Sequence, residues 1–182
     1  LCRSGVTLVI SPLIALMRDQ VRSLREAGVE AGCLTSANTE EETEAVFSAL
    51  DEARLRLLYL APERLASPAT LPLLRRINVS LIAVDEAHCV SQWGHDFRPS
   101  YLRVKQVREQ LGNPPTVALT ATATPEVRED IVRQLGLVDP RVIISGFDRV
   151  NLTYHVVATK NDAAKDATLI DLVRAQKGEG VT

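Results

Sequence analysis

Aromatic residues are scarce in this sequence: three Phe, three Tyr and one Trp, 4% of 182 residues. A core of ordinary size must then be built from Val, Leu, Ile and Ala, which suits a parallel sheet covered by helices. Cysteine is nearly absent too. Cys2, Cys33 and Cys89 are odd in number, widely spaced and form no CxxC pair. That argues against a disulfide scaffold or a zinc cluster, and for a reducing compartment. Positive charge is not in excess: the net charge of −2 excludes a globally basic nucleic-acid binder, though not a local basic groove. No apolar run approaches the ~20 residues that span a bilayer, and Leu1-Cys2-Arg3-Ser4 does not open a signal peptide, so no membrane partner is expected. Nor does any GxxxxGK[ST] phosphate loop occur in the 182 residues.

What is present is a regular alternation of short apolar runs and helical patterns. Residues 6–10, 31–34, 55–60, 79–84, 116–120 and 142–144 read as strands, bounded by turn residues. Between them, Ile14, Met17, Val21 and Leu24 mark one face of a helix that ends near Gly28. Thr39 with Glu42 forms a capping box that opens a second helix. Residues 71–77 and 101–111 read as helices, and Thr124-Pro125-Glu126 starts another that runs to about Leu135. This order predicts an α/β fold with helices on a mostly parallel sheet. The pattern changes near residues 147–151, where a polar link leads to a strand-like stretch at 152–157 and a helix around 163–176. Two organisations fit: a lobe of residues 1–146, a hinge at 147–151 and a second unit at 152–182, or one domain with an added strand and helix.

Four segments fall just after strands, where ligands gather in open α/β sheets. The most informative is Asp85-Glu86-Ala87-His88, which follows the strand 79–84. One of two adjacent carboxylates there can hold Mg²⁺ through water while the other orients or deprotonates an attacking water. Solvated acids at a strand end are the plainer alternative. Ser11-Pro12, after the first strand, offers a hydroxyl and free N–H groups to a phosphate, or is an ordinary helix cap. Ala61-Pro62-Glu63-Arg64 follows the third strand, and Leu119-Thr120-Ala121-Thr122 the fifth. His88 is placed to hydrogen-bond across to the latter. The run from Cys89 to Tyr101 holds Trp93, Phe97, Arg98 and Tyr101, without helical or strand period. It suits a platform on which bases stack beside an Arg, or a small cluster that pins a long loop. His88, Cys89 and His95 match no standard zinc spacing. Of the 21 cationic residues 17 are Arg, which supplies fork-shaped donors for phosphate.

Taken in order, these segments resemble the first RecA-like lobe of superfamily-two helicases, and specifically the RecQ DNA helicases. Residues 11–20 are similar to motif Ia, 61–65 to motif Ib, Asp85 to His88 to motif II, and Thr120 to Thr122 to motif III. Residues 92–99 resemble the aromatic-rich loop that separates RecQ proteins from other DEAH-type motors, and residues 147–152 the hinge to the second lobe, with Val150 where Pro is usual. The resemblance implies a three-layer α/β/α RecA-like lobe that uses ATP and Mg²⁺. Asp85 would hold the metal through water, Glu86 would activate the attacking water, and His88 with Thr120 and Thr122 would couple nucleotide state to DNA. Ser11, Gln20, Arg64, Trp93, Phe97 and Arg98 would contact nucleic acid. The partners implied are single-stranded and branched DNA, ATP and a second RecA-like lobe of the same protein. The location would be the bacterial cytoplasm at the nucleoid, or the nucleus in a eukaryote. In the family the Walker A loop precedes the point where this chain starts, so the 182 residues alone are expected neither to hydrolyse ATP nor to unwind DNA. An RNA helicase lobe of DEAH type would share the acid box but not the aromatic loop. A non-catalytic binding module would lack the phosphate loop in the whole protein.

Overall fold

The computed structural model describes residues 4–145 and 156–175. These fall into two compact units that divide between Arg141 and Val142. In the first unit, β1 (Val6–Ile10), β2 (Ala31–Leu34), β3 (Leu57–Leu60), β4 (Val79–Val84) and β5 (Thr116–Ala118) form one sheet. Their order is β2-β3-β1-β4-β5 and every pair is parallel. Parallel neighbours need crossover connections, and helices supply them: α1 (Ile14–Glu26), α2 (Glu40–Asp51), α3 (Thr70–Arg76) and α4 (Arg103–Gln110); α5 (Pro125–Leu135) follows the last strand.

Alternation along the strands sorts side chains between two cores. Leu8, Ile10, Leu58, Leu60, Ile82 and Val84 pack on one face with residues of α2, α3, α4 and α5. Val9, Tyr59 and Ala83 point to the other face, which α1 covers with Met17 and Val21. The sheet is therefore sandwiched between helical layers, the α/β architecture expected. Tyr101 and Tyr59 are the aromatics buried here; branched aliphatics fill most of the remaining space.

β1, β2 and β4 have the bounds read from sequence, and the capping box at Thr39 forms, its hydroxyl accepting from the Glu42 amide at 3.1 Å. The other elements differ at their ends for identifiable reasons. β3 starts at Leu57 because the amide of Leu55 bonds the Ala49 carbonyl (3.1 Å) and closes α2 instead. The expected helix 101–111 begins as a 3-10 turn, Pro99–Leu102, before α4. β5 ends at Ala118, since Leu119 and Thr120 turn to meet the acid box.

The strand expected at 142–144 is not formed. Val142, Ile143 and Ile144 are 58%, 79% and 59% exposed and have no strand partner among the described residues. Apolar branching makes a segment suited to a sheet, but a strand also needs a neighbour's backbone to complete its ladder. In the second unit the expected helix is present as α6 (Asp162–Ala175), with no buried residue. The hinge at 147–151 and most of the strand-like stretch at 152–157 lie outside the described residues. No helix among the described residues is long and apolar enough to cross a membrane.

Candidate active site

Because all five strands are parallel, their carboxyl ends share one edge of the sheet, and Ser11, Asp85 and Leu119 leave β1, β4 and β5 side by side. The Asp85 amide bonds the Ile10 carbonyl at 2.8 Å, and the Leu119 amide bonds the Val84 carbonyl at 2.9 Å. Ser11 is fully buried, and its hydroxyl donates to Asp85 Oδ2 at 3.0 Å. It caps no helix: Leu13 holds the cap position of α1 without a side-chain bond. Ser11, expected along the nucleic-acid track, is buried in this structure. Its hydroxyl faces the acid box, since its position directly after a central strand puts it beneath the neighbouring strand end.

Asp85 is held on several sides. Its Oδ1 accepts from the Glu86 amide at 3.0 Å, and its backbone carbonyl accepts from the Tyr101 hydroxyl at 2.9 Å. Glu86 is left-handed, at φ 46° and ψ 46°. For a residue with a Cβ that conformation costs about 1–2 kcal/mol and persists only where neighbours over-determine it. Here they do. Next along, the Ala87 amide bonds the Leu119 carbonyl at 2.9 Å, and Ala87 to Val90 form a buried 3-10 turn. The left-handed step lets the chain turn from strand to helix while both carboxylates stay half-exposed at the edge.

His88 is 5% exposed, and its Nδ1 lies 2.9 Å from Thr120 Oγ1 and 3.2 Å from Glu86 Oε2. The sequence placed His88 against the Thr-Ala-Thr turn, and this contact is present. Burial pushes the imidazole pKa down and the stacked His95 ring adds to that, against the opposing pull of Glu86 and Asp96. His88 is therefore neutral near pH 7, and its Nδ1 either donates, to Glu86 or Thr120, or accepts from the Thr120 hydroxyl alone. Thr120 Oγ1 also lies 3.3 Å from the Thr122 amide, so the turn is tied to the same imidazole.

The aromatic segment is compact although it lacks regular structure. The Arg98 amide bonds the Cys89 carbonyl at 2.8 Å, closing the segment on the end of the acid box. At Gly94 a side chain would meet the His88 carbonyl oxygen at 2.5 Å, so only glycine permits this close return. The Arg98 guanidinium donates twice to Asp96 Oδ2, at 2.9 and 3.1 Å, and holds that carboxyl below its usual range. Cys89 is buried behind it, its thiol pushed up to about 11 chiefly by burial. Trp93 is 76% exposed, while Phe97 and Arg98 are half-buried. A large exposed indole beside an Arg is available to stack on a planar partner.

Three other expected site residues lie on separate elements. Gln20 is half-buried on α1, beside a shallow hollow shared with Tyr59. Arg64 sits in the 3-10 turn Pro62–Ala66, its Nε shielded and without a hydrogen-bond partner among the described residues. Thr122 is exposed. Two residues that sequence reasoning missed belong to the site. Tyr101 was read as the end of the aromatic run and the start of a helix, yet a buried phenol must find a partner, and its partner is the Asp85 backbone carbonyl. Asp130, on α5, is 3% exposed. Burial pushes its acid up, but Ser91, Arg133 and Gln134 outweigh that and hold it below the ordinary range. Ser91 in turn accepts from the Trp93 amide at 3.2 Å, so α5 supports the start of the aromatic segment.

Asp85 fits a hard cation. Each carboxylate oxygen already accepts one hydrogen bond, which leaves it further acceptor capacity on a half-exposed side chain. No cluster of three or more His, Cys, Asp or Glu that could hold a metal ion occurs among the described residues. One carboxylate plus substrate phosphates and water is the arrangement Mg²⁺ takes in nucleotide enzymes.

The DEAD/DEAH box helicase family model matches residues 2–131. "ATP-dependent DNA helicase RecQ" of Bacillus subtilis is 45% identical over 176 residues, 96% of this chain and 29% of that protein. The protein of the same name from Pasteurella multocida is 46% identical over 157 residues, 86% of this chain and 25% of that one. "ATP-dependent DNA helicase Q5" of Mus musculus is 46% identical over 166 residues, covering 86% and 17%. The chain thus spans less than a third of these relatives' lengths. Among solved structures, the Pyrococcus furiosus Hef helicase domain aligns with a TM-score of 0.54 at 22% identity, over 74% of this chain and 28% of that one. That likeness shows a shared RecA-like fold.

Proposed function

The chain belongs to the DEAD/DEAH box helicase family, and on that footing we propose that it is the first RecA-like motor lobe of a RecQ-type, ATP-dependent DNA helicase. The activity coupled to ATP hydrolysis is 3′-to-5′ DNA unwinding in recombination and repair, with single-stranded and branched DNA as the partners bound. One observation carries the proposal: a continuous network runs from Ser11 through Asp85 to the Glu86 turn, His88 and Thr120, with the exposed Trp93 segment closed onto it at Cys89.

In this proposal Asp85 holds Mg²⁺ through water, and the metal supplies charge neutralisation for the phosphates. Glu86, half-exposed at the sheet edge, takes the proton of the attacking water. Neutral His88 shares Nδ1 between Glu86 and Thr120, so a shift of the Thr120–Thr122 turn changes the hydrogen bonding of the base. Trp93 and Phe97 stack on bases and Arg98 meets phosphate, at the cost of its exposed pairing with Asp96. Gln20 and Arg64 contribute further backbone contacts. Residues 1–146 act as the motor lobe, 147–151 as the hinge and 152–182 as the start of a second lobe. ATP hydrolysis needs that lobe and a phosphate loop, so the 182 residues alone are inactive. The protein acts where the chromosome lies, at the bacterial nucleoid or in the nucleus.

The test is the ATPase of the full-length gene product with Trp93→Ala and Phe97→Ala. The ratio of DNA-stimulated to DNA-free hydrolysis should collapse toward one. Undiminished stimulation in the double variant would remove the sensing role, and a wild-type enzyme stimulated by RNA but not DNA would make this an RNA motor.

A further inference from the structure

Resting on that function, we infer that Tyr101 is a positioning residue: its phenol fixes the Asp85–Glu86 peptide in the orientation hydrolysis needs and joins that peptide to the aromatic segment. The peptide is held at both ends. Its carbonyl accepts from the Tyr101 hydroxyl at 2.9 Å, and its N–H donates to Asp85 Oδ1 at 3.0 Å. Rotation of this one peptide plane sets the left-handed φ of 46° at Glu86 and hence the direction of the Glu86 side chain. Among the described residues no backbone N–H reaches the Asp85 carbonyl, so the phenol is its partner.

The requirement is for a hydroxyl, not only for a ring. Tyr101 is 0% exposed and packs in the main core, where Phe would fill the same space. Burial pushes the phenol pKa up, which keeps the hydroxyl protonated as a donor. Tyr101 is also the first core residue after the aromatic segment. Its amide bonds the Arg98 carbonyl at 3.0 Å, and the Arg98 amide bonds the Cys89 carbonyl at 2.8 Å. A nucleic acid that draws Arg98 from Asp96 therefore pulls on the residue that holds the Glu86 peptide. His88 links Glu86 to the Thr120 turn; Tyr101 supplies a second connection, from the far end of the aromatic segment.

Tyr101→Phe in the full-length gene product tests this, with two readouts. DNA-stimulated kcat should fall about tenfold, the equivalent of one lost hydrogen bond, while the KM for ATP and the half-saturating DNA concentration stay within twofold. Deuterium exchange of peptides covering residues 85–90 should quicken about tenfold, with β1 and α2 unchanged. Unaltered exchange at 85–90 overturns the inference whatever the activity, as does an exchange increase spread evenly over β1, α2 and the acid box. If wild-type protein shows no DNA-stimulated ATPase, the functional proposal fails, and the exchange comparison still decides whether Tyr101 holds the peptide.

Discussion

Replacing Ser11 by Ala separates its bond to Asp85, seen in the structure, from the nucleic-acid contact expected from the sequence. The Ser11 hydroxyl is fully buried and donates to Asp85 Oδ2 at 3.0 Å. A hydrogen bond to a charged group contributes about 1.5–3 kcal/mol. Asp85 is half-exposed, so water can replace part of the lost bond and the lower end of that range applies. About 1.4 kcal/mol is a factor of ten in an equilibrium, and partners that orient a metal-binding carboxylate typically govern metal affinity by 10–100-fold. The Mg²⁺ concentration for half-maximal ATPase of the full-length gene product should therefore rise about tenfold in Ser11→Ala. The DNA concentration for half-maximal stimulation should stay within twofold. Paired titrations of Mg²⁺ at saturating DNA, and of DNA at saturating Mg²⁺, read both. A shift in the DNA titration with an unmoved Mg²⁺ titration would refute the reasoning and return Ser11 to the nucleic-acid track.

Two further outcomes follow from the same geometry. Gly94→Ala forces a methyl group toward the His88 carbonyl oxygen at 2.5 Å; an overpacked contact of this kind costs about 1–3 kcal/mol, so the urea midpoint should fall, and an unchanged midpoint would mean the segment is looser than described. Native His88 titrates below its ordinary value because it is buried beside His95, so the unfolded chain binds its proton first as pH drops. Stability should be level above about pH 6.5, decline from there through the native pKa, and flatten below it; His88→Asn should remove that part of the slope between pH 7 and 5, and identical slopes would contradict the cause given.

Much of the sheet was legible because buried parallel strands are nearly continuous apolar runs, as β1 and β4 are, each interrupted by a single hydroxyl residue, Thr7 and Ser80. Ends were less legible where hydrogen bonds, not hydropathy, decide them. Leu55 is as apolar as Leu57 and Leu58 of β3, yet its amide closes α2. Leu119 and Thr120 continue the β5 pattern but leave to meet Ala87 and His88. Val142, Ile143 and Ile144 show the converse, β-forming residues with no described strand beside them. In the site, adjacent acids after a strand and the His88–Thr120 contact could be read from order along the chain. Ser11 on Asp85 and Tyr101 on the Asp85 carbonyl could not. Both are contacts across the fold, 74 and 16 residues apart, and a hydroxyl's partner is not encoded in any local period. The left-handed Glu86 was hidden for a related reason: no glycine marks it, since surrounding hydrogen bonds impose it.

The central claim is that Glu86 is the base of an ATP-hydrolysing site, and Glu86→Gln in the full-length gene product tests it most directly. The amide keeps the shape of the side chain and cannot take a proton. With DNA and Mg²⁺ saturating, turnover should fall by about 10²–10⁴-fold, while ATP affinity, measured by equilibrium binding, is retained. Hydrolysis at the wild-type rate by the Gln variant would contradict the account.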